Sequence, residues 1–347
     1  MSYQVHPRST TWVVLESIAL VTLNIIIFFG NFIICLVIYK SKRLRTMTNM
    51  LVVTLSISDL ITASITLPMA AATSILRRWI YGSIGCQVFG FCSKYLVHVS
   101  LYIITLIALN RYVRIIKPSL YKKVFTLRRS VALLAFIWVM PALVRIIPIL
   151  TSSARFVFVS HTATCILAFY EKKSQFPYTV FATLVFIALP MLVIIVCYAA
   201  VTRHVRKHRQ RISSVRGDQG DLGVSIEEVK VTRTLFALVF TFILCWLPVS
   251  VALIFVKSAT GSIPTLAARV LSCLVALSSA STPFVYGVLN RPFRKEFKKI
   301  LPLCCRGNRT FDSESAWNLG LNARDSARNR QGPGNQSSNS AENKCSP

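Results

Sequence analysis

Charge is scarce in this chain of 347 residues: Asp, Glu, Lys and Arg together make up 15%, and only 12 residues are acidic against 40 Lys and Arg. With 54% hydrophobic residues, there is too little charge to cover a water-soluble surface, so a soluble two-domain protein is excluded. The net charge of +28 does not indicate nucleic-acid binding, because the basic residues stand in blocks between long apolar runs and form no continuous face. The ten cysteines show neither a CxxC ladder nor metal-ligand spacing. No basic segment precedes the first apolar run, which is also too long for the core of a cleavable signal peptide, so it is expected to act as its own anchor. Internal repeats and rows of charge suited to conduction are missing too, which argues against a transporter or channel.

What the chain has is apolar length. A bilayer core about 30 Å thick needs roughly 20 apolar residues per helix. Seven runs qualify: Trp12 to Tyr39, Met50 to Leu76, Cys86 to Ile116, Ser130 to Leu150, Phe176 to Val201, Val231 to Val256 and Pro264 to Leu289. Thirty of the forty Lys and Arg fall in the first, third and fifth connections and the tail, and seven in the opposite set. Since Lys and Arg resist translocation, the N-terminus is expected outside and the C-terminus in the cytoplasm, in a multi-pass protein of the plasma membrane. The expectation is an all-α, seven-transmembrane helix bundle over residues 12–289, after an external segment 1–11. Residues 290–303 place Phe293, Phe297 and Ile300 on one side and basic residues on the other, an amphipathic eighth helix for the inner membrane surface. Cys304 and Cys305 follow it, where palmitoylation would add a second membrane signal. Residues 304–347 have too few large apolar side chains to bury a core and are expected to be disordered.

Polar groups inside membrane runs need a reason. Asp59 is acidic and deep in the second run, and Asn31, Ser100, Ser278, Ser279 and Thr282 can converge on it at similar depth. One carboxylate with neutral oxygens suits a hard ion such as sodium; a hydrogen-bonded packing cluster without an ion is the other reading. Arg111 ends the third run in Asn110-Arg111-Tyr112. It either snorkels to the interface or pairs with Glu228 at the start of the sixth run as a two-state latch. Prolines at 68, 141, 148, 190, 248 and 283 are expected to kink their helices. His204 and His208 have i, i+4 spacing but sit in a basic stretch, so a solvated face outweighs a zinc site and a membrane hydrolase is not favoured.

From Thr11 to Cys305 these residues resemble the rhodopsin-like, class A G-protein-coupled receptors. The matching pieces are Gly30-Asn31, Leu55 to Asp59, Trp79, Cys86, Asn110-Arg111-Tyr112, Trp138, Pro190 with Tyr198, Phe242 with Cys245-Trp246-Leu247-Pro248, Pro283 to Tyr286, and the helix at Phe293. Within the class, Gly85 to Val88, Gly90-Phe91, Val285 to Asn290 and Phe293 to Glu296 are similar to melatonin-type receptors.

The resemblance implies a receptor and not an enzyme, with an extracellular ligand and a heterotrimeric G protein as partners, and arrestin and a receptor kinase acting at the tail. It implies a Cys86–Cys165 disulfide and a sodium ion as modulator at Asp59, Asn31 and Ser100. Arg111 would contact the G protein, Trp246 and Phe242 would transmit movement of the sixth helix, and Tyr198 and Tyr286 would stabilise the opened state. Departures from the pattern are Asn110 in place of an acid, Thr282 in place of Asn or Asp, Ser93 in place of the amine-receptor Asp, and Ala276 in place of the retinal-binding Lys. A monoamine and retinal are therefore not expected as ligands. Pro148 and Phe169 replace the Asn and Gln that melatonin receptors offer, so the likeness does not carry melatonin itself.

The expected pocket consists of Ser93, Lys94, Val97, Arg145, Val249, Ser250 and Ser272. Lys94, Arg145 and Arg269 stand in the outer half, where the sequence shows no acid to pair with them. Either all three snorkel outward, or an acidic ligand offsets their burial and the ligand is neutral or anionic.

Overall fold

The computed structural model describes residues 9–160, 162–214, 226–252 and 264–305. The chain divides into two units, Met1–Phe297, which holds all the spans, and Lys298–Pro347, whose described residues 298–305 are helical.

The spans are α1 (Thr10–Lys40), α2 with α3 (Met47–Ile61, Leu67–Leu76), α4 (Gly82–Ile116), α6 (Leu127–Leu150), α7 with α8 (Lys172–Thr183, Leu189–Ser214), α9 (Ile226–Val251) and α10 (Thr265–Leu289). A short helix α5 (Pro118–Val124) lies in the third connection, and α11 (Arg291–Cys305) follows the last span. Six helices are long and apolar enough to cross a membrane; α9 adds a shorter apolar stretch, Thr234–Val249, after a charged first turn. Together they form the seven-helix bundle, with α4 the most buried span among those described.

Local chemistry sets the ends and bends. Ser9 and Thr126 cap α1 and α6, each side chain accepting from a backbone N–H three residues on. The second and fifth spans each contain a π turn, Thr62–Thr66 and Leu184–Ala188. Pro68 and Pro190 follow these turns. A proline removes its own N–H and crowds the carbonyl four residues back, here Ser64 and Phe186, and both fall inside the wider turn that makes room. Pro141, Pro148, Pro248 and Pro283 lie within helices.

Gly30 marks a close approach of two helices. A Cβ there would lie 2.6 Å from the Pro283 ring, so only glycine lets α1 meet α10 at this depth.

To the all-α expectation the structure adds a hairpin between the fourth and fifth spans. Strands β1 (Ala154–Val159) and β2 (Thr164–Phe169) pair antiparallel, with Phe158 opposite Cys165. Ala154 and Phe156 alternate inward while their neighbours face out, the period-two signal of a strand. Cys165 is bonded to Cys86 across 79 residues. Beside it, the Gln87 side chain pairs with Phe156 like one more strand residue: Nε2 donates to the Phe156 carbonyl at 2.8 Å and Oε1 accepts from its N–H at 3.0 Å. Trp79 stacks on Phe158 at 5.4 Å and donates to the Gly82 carbonyl at 2.7 Å. The hairpin is thus fastened to the top of α4 by a covalent bond, a two-pronged amide and an aromatic stack.

Asn290 caps α11 by accepting from the Phe293 N–H at 3.1 Å, and Ser41 donates to Glu296 at 3.1 Å. Phe293 is buried against Tyr286, edge to face at 6.0 Å. This helix runs to Cys305, past the expected end at residue 303, so Cys304 and Cys305 belong to it; their side chains lie outside the described residues. Residues 306–347, expected to be disordered, lie outside the description as well.

Candidate functional site

A cavity of about 360 Å³ opens between the spans beneath the hairpin. Its size falls at the lower end of small-molecule pockets, about 300–1,000 Å³. Ser93, Lys94 and Val97 line it from α4, Arg145 from α6, Val249 from α9 and Ser272 from α10. The side chain of Ser250 lies outside the described residues. Trp246 also lines the cavity; it stacks on Phe242 at 5.6 Å and its indole N–H donates to Ser278 at 3.3 Å.

The charges in this cavity differ from the expectation. Arg145 and Arg269 do not snorkel: they are 8% and 9% exposed. Nor is the upper bundle without an acid, because Glu16 on α1 reaches Arg269 at 2.7 Å. That correction has a simple cause: Glu16 and Arg269 are 253 residues apart, and only the α1–α10 packing brings them together. Arg145 meets His98, which is not among the expected pocket residues and whose two ring nitrogens each lie 3.3 Å from its Nη2. His98 is itself 4% exposed and stacked on Phe186 at 4.7 Å. Lys94, unlike the two arginines, is exposed, though it lines the cavity one helical turn before His98 on α4; that i, i+4 relation is the sequence signal that would have found His98.

Deeper in the bundle, Asp59 is 1% exposed and accepts from Ser279 and from Thr282, the latter at 3.4 Å. Ser100 bonds Ser58 at 2.8 Å instead of Asp59. Asn31 is fully buried; its amide donates to the Ile27 carbonyl, and its Oδ1 has no hydrogen-bond partner among the described residues. A carboxylate, hydroxyls and an orphaned amide oxygen compose the all-oxygen set a hard cation takes, so the residues fit sodium in kind.

At the opposite end from the hairpin, Arg111 is 3% exposed and donates to the Thr48 hydroxyl. Thr48 in turn donates to Asn110 Oδ1 at 3.2 Å, and Asn110 donates to Tyr121 of α5 at 3.5 Å. Tyr286 donates to Asn49 at 3.4 Å. Tyr198 is buried, and its hydroxyl has no partner among the described residues. Tyr112 is half-buried, Pro248 is exposed and Pro283 packs on Gly30. Glu228 belongs to α9, but its side chain, and so any pair with Arg111, lies outside the described residues. Arg111 does not snorkel; it is buried, and among the described residues its hydrogen-bond partner is the neutral Thr48.

Residues 30–286 match the family described as 7 transmembrane receptor (rhodopsin family), which is well over half of the chain. The chain belongs to this family. The relatives it is similar to include the melatonin receptor type 1A of Mus musculus, 26% identical over 82% of this chain and 80% of that one. The QRFP-like peptide receptor of Branchiostoma floridae is 27% identical over 81% and 75% of the two chains. In fold it matches the crystal structure of squid rhodopsin with a TM-score of 0.74, at 22% identity over 91% of this chain and 94% of that one. This seven-transmembrane receptor is thus a ligand-binding, G-protein-coupled protein close to the melatonin-type receptors, and a channel or transporter is not favoured.

Proposed function

We propose that this receptor sits in the plasma membrane with the hairpin end outside and α11 in the cytoplasm, and that it binds a small neutral or anionic ligand in the cavity beneath the hairpin. The observation that carries this is the continuous wall from Lys94 and Arg145 down to Trp246. A ligand seated there touches the indole that packs on Phe242 of the same helix, so binding is expected to bias α9 and, through it, the end where Arg111 lies. A monoamine is disfavoured because the cavity carboxylate, Glu16, is already engaged by Arg269. Retinal is disfavoured because Ala276 stands at the lysine position.

On this reading Arg111 and Tyr112 face the G protein, Tyr198 and Tyr286 hold the open state, and Glu228 closes on Arg111 as a latch. Asp59 with Asn31, Ser279 and Thr282 holds sodium. Cys304 and Cys305 carry palmitate, membrane lipid surrounds α11, and arrestin and a receptor kinase act on the tail. The protein carries out no chemical step of its own and works by shifting a conformational equilibrium.

The test is nucleotide exchange on a purified G protein by the reconstituted receptor, screened against a small-molecule library. Ligand-dependent exchange that is lost in Arg111→Ala and in Trp246→Ala supports the reading; exchange unaffected by both would refute it.

A further inference from the structure

The cavity is electrically lopsided. Four of its lining side chains carry charge: Glu16, Lys94, Arg145 and Arg269. Toward α1 and α10, Glu16 and Arg269 neutralise one another. Toward α4 and α6 stand two cations, Lys94 and Arg145, and no carboxylate among the described residues pairs with Arg145.

Arg145 has His98 for company instead. A guanidinium has donors only, so the imidazole must accept, and a neutral acceptor supplies no counter-charge. Nη2 is equally far from both ring nitrogens, so it is not aligned with the one lone pair that a neutral imidazole offers. The guanidinium Nε is buried with no hydrogen-bond partner among the described residues. Phe186, stacked on the imidazole at 4.7 Å, holds the ring in place. A guanidinium kept this far from water against an uncharged partner is costly to the ligand-free fold. It is also a planar fork with donors unspent, shaped for a carboxylate.

We infer that Arg145, positioned by His98 and supported by Lys94, which lines the same cavity from one helical turn before His98 on α4, anchors the anionic head of the ligand. The ligand class is a small organic acid. Its carboxylate docks between α4 and α6, and its apolar body runs along Ile187 and Val249 to Trp246, all of which line the same cavity. The Glu16–Arg269 pair forms the far wall; an amine would have to break it to gain a counter-ion there. This inference rests on the reading of the cavity as the ligand site, and it adds the charge and the anchor.

The test uses the full-length receptor, purified without ligand in lipid nanodiscs, and thermal unfolding as the readout. The probes are small aryl- and alkylcarboxylic acids, each measured beside its own primary amide and primary amine. We expect acids to raise the melting temperature where their amides and amines do not. In Arg145→Gln the affinity for those acids falls about ten- to hundredfold, the range for loss of a charge-assisted bond, and Arg145→Lys retains part of it. The ligand-free Arg145→Gln receptor melts no lower than the wild type, because a binding-site cation is absent from its stability and a structural strut is not.

A panel in which no acid outperforms its own amide and amine overturns the inference, as does acid binding undiminished in Arg145→Gln. A lower melting temperature for ligand-free Arg145→Gln overturns it too, by making Arg145 a strut. If that variant does not reach the membrane, Arg145→Lys and Lys94→Gln carry the same comparison. Amides or amines that stabilise the wild type and drive nucleotide exchange would leave the cavity as the ligand site and remove only its anionic character. Stabilisation by acids with no exchange would keep the anchor and refute the receptor reading.

Discussion

The Thr48 hydroxyl accepts a hydrogen bond from the Arg111 guanidinium, so a buried cation at the end of the bundle opposite the hairpin is held by a neutral group. Thr48 spends its own proton on Asn110, the residue standing where the family pattern has an acid. Among the described residues, the arginine is therefore restrained by a relay of hydroxyl and amide.

Removing that relay should loosen the closed state. Thr48→Val leaves the Arg111 donor unmet in a dry site, a loss of about 1–3 kcal/mol, and basal nucleotide exchange at matched surface levels should rise severalfold. Asn110→Asp should lower it, since a carboxylate next to Arg111 along the chain adds a counter-charge that the amide lacks. Glu228→Ala should raise it if the proposed latch closes. Equal basal exchange in wild type and Thr48→Val would show that this hydroxyl restrains nothing.

The hairpin gives a second expectation. Gln87→Ala frees both backbone groups of Phe156 while keeping the disulfide, and Cys86→Ala removes the covalent bond. A disulfide typically contributes about 2–4 kcal/mol, and the two amide bonds about 1 kcal/mol each. Cys86→Ala should therefore abolish surface expression, whereas Gln87→Ala reaches the surface with a lower melting temperature and faster ligand dissociation. Peptide mapping that recovers Cys86 and Cys165 as free thiols from the mature receptor would contradict the bond.

A third concerns Asp59. Bound sodium should weaken agonist binding relative to an organic cation of equal ionic strength. Asp59→Asn, which keeps the shape and removes the charge, should abolish that difference. Ser279→Ala should reduce it. Sodium dependence that survives in Asp59→Asn would place the ion elsewhere or exclude it.

The Glu16–Arg269 pair supplies a fourth. Glu16→Gln leaves Arg269 buried without its carboxylate, and breaking a buried pair on one side costs about 3–5 kcal/mol. The double variant Glu16→Gln with Arg269→Gln should recover most of that loss, read as melting temperature. Monoamines should fail to activate the wild type, and activation by one at low concentration would mean that Glu16 is available to a ligand.

The contact of Gly30 with Pro283 can be checked directly. A Cβ on residue 30 meets a proline ring tied to its own backbone, with no rotamer to move away. Gly30→Ala should cost about 1–3 kcal/mol by overpacking, seen as reduced surface expression. Gly287, which has open space around its Cβ position, should tolerate alanine there.

The sequence alone determined the seven spans, because each bilayer crossing needs its own long apolar run and no packing partner can substitute for length. It determined the family as well, since Asn110-Arg111-Tyr112, Trp246 with Pro248, and Tyr286 are local strings in a fixed order. The hairpin was legible in principle in the alternation from Ala154 to Val159, but six residues inside a connection are outweighed by their longer neighbours. Only the tertiary structure decided which charges compensate one another. Glu16 finds Arg269, Arg145 finds His98 and Thr48 finds Arg111 across 253, 47 and 63 residues. Coulomb energy and desolvation depend on distance in space and on what excludes water, and neither is written in the order of residues along a chain.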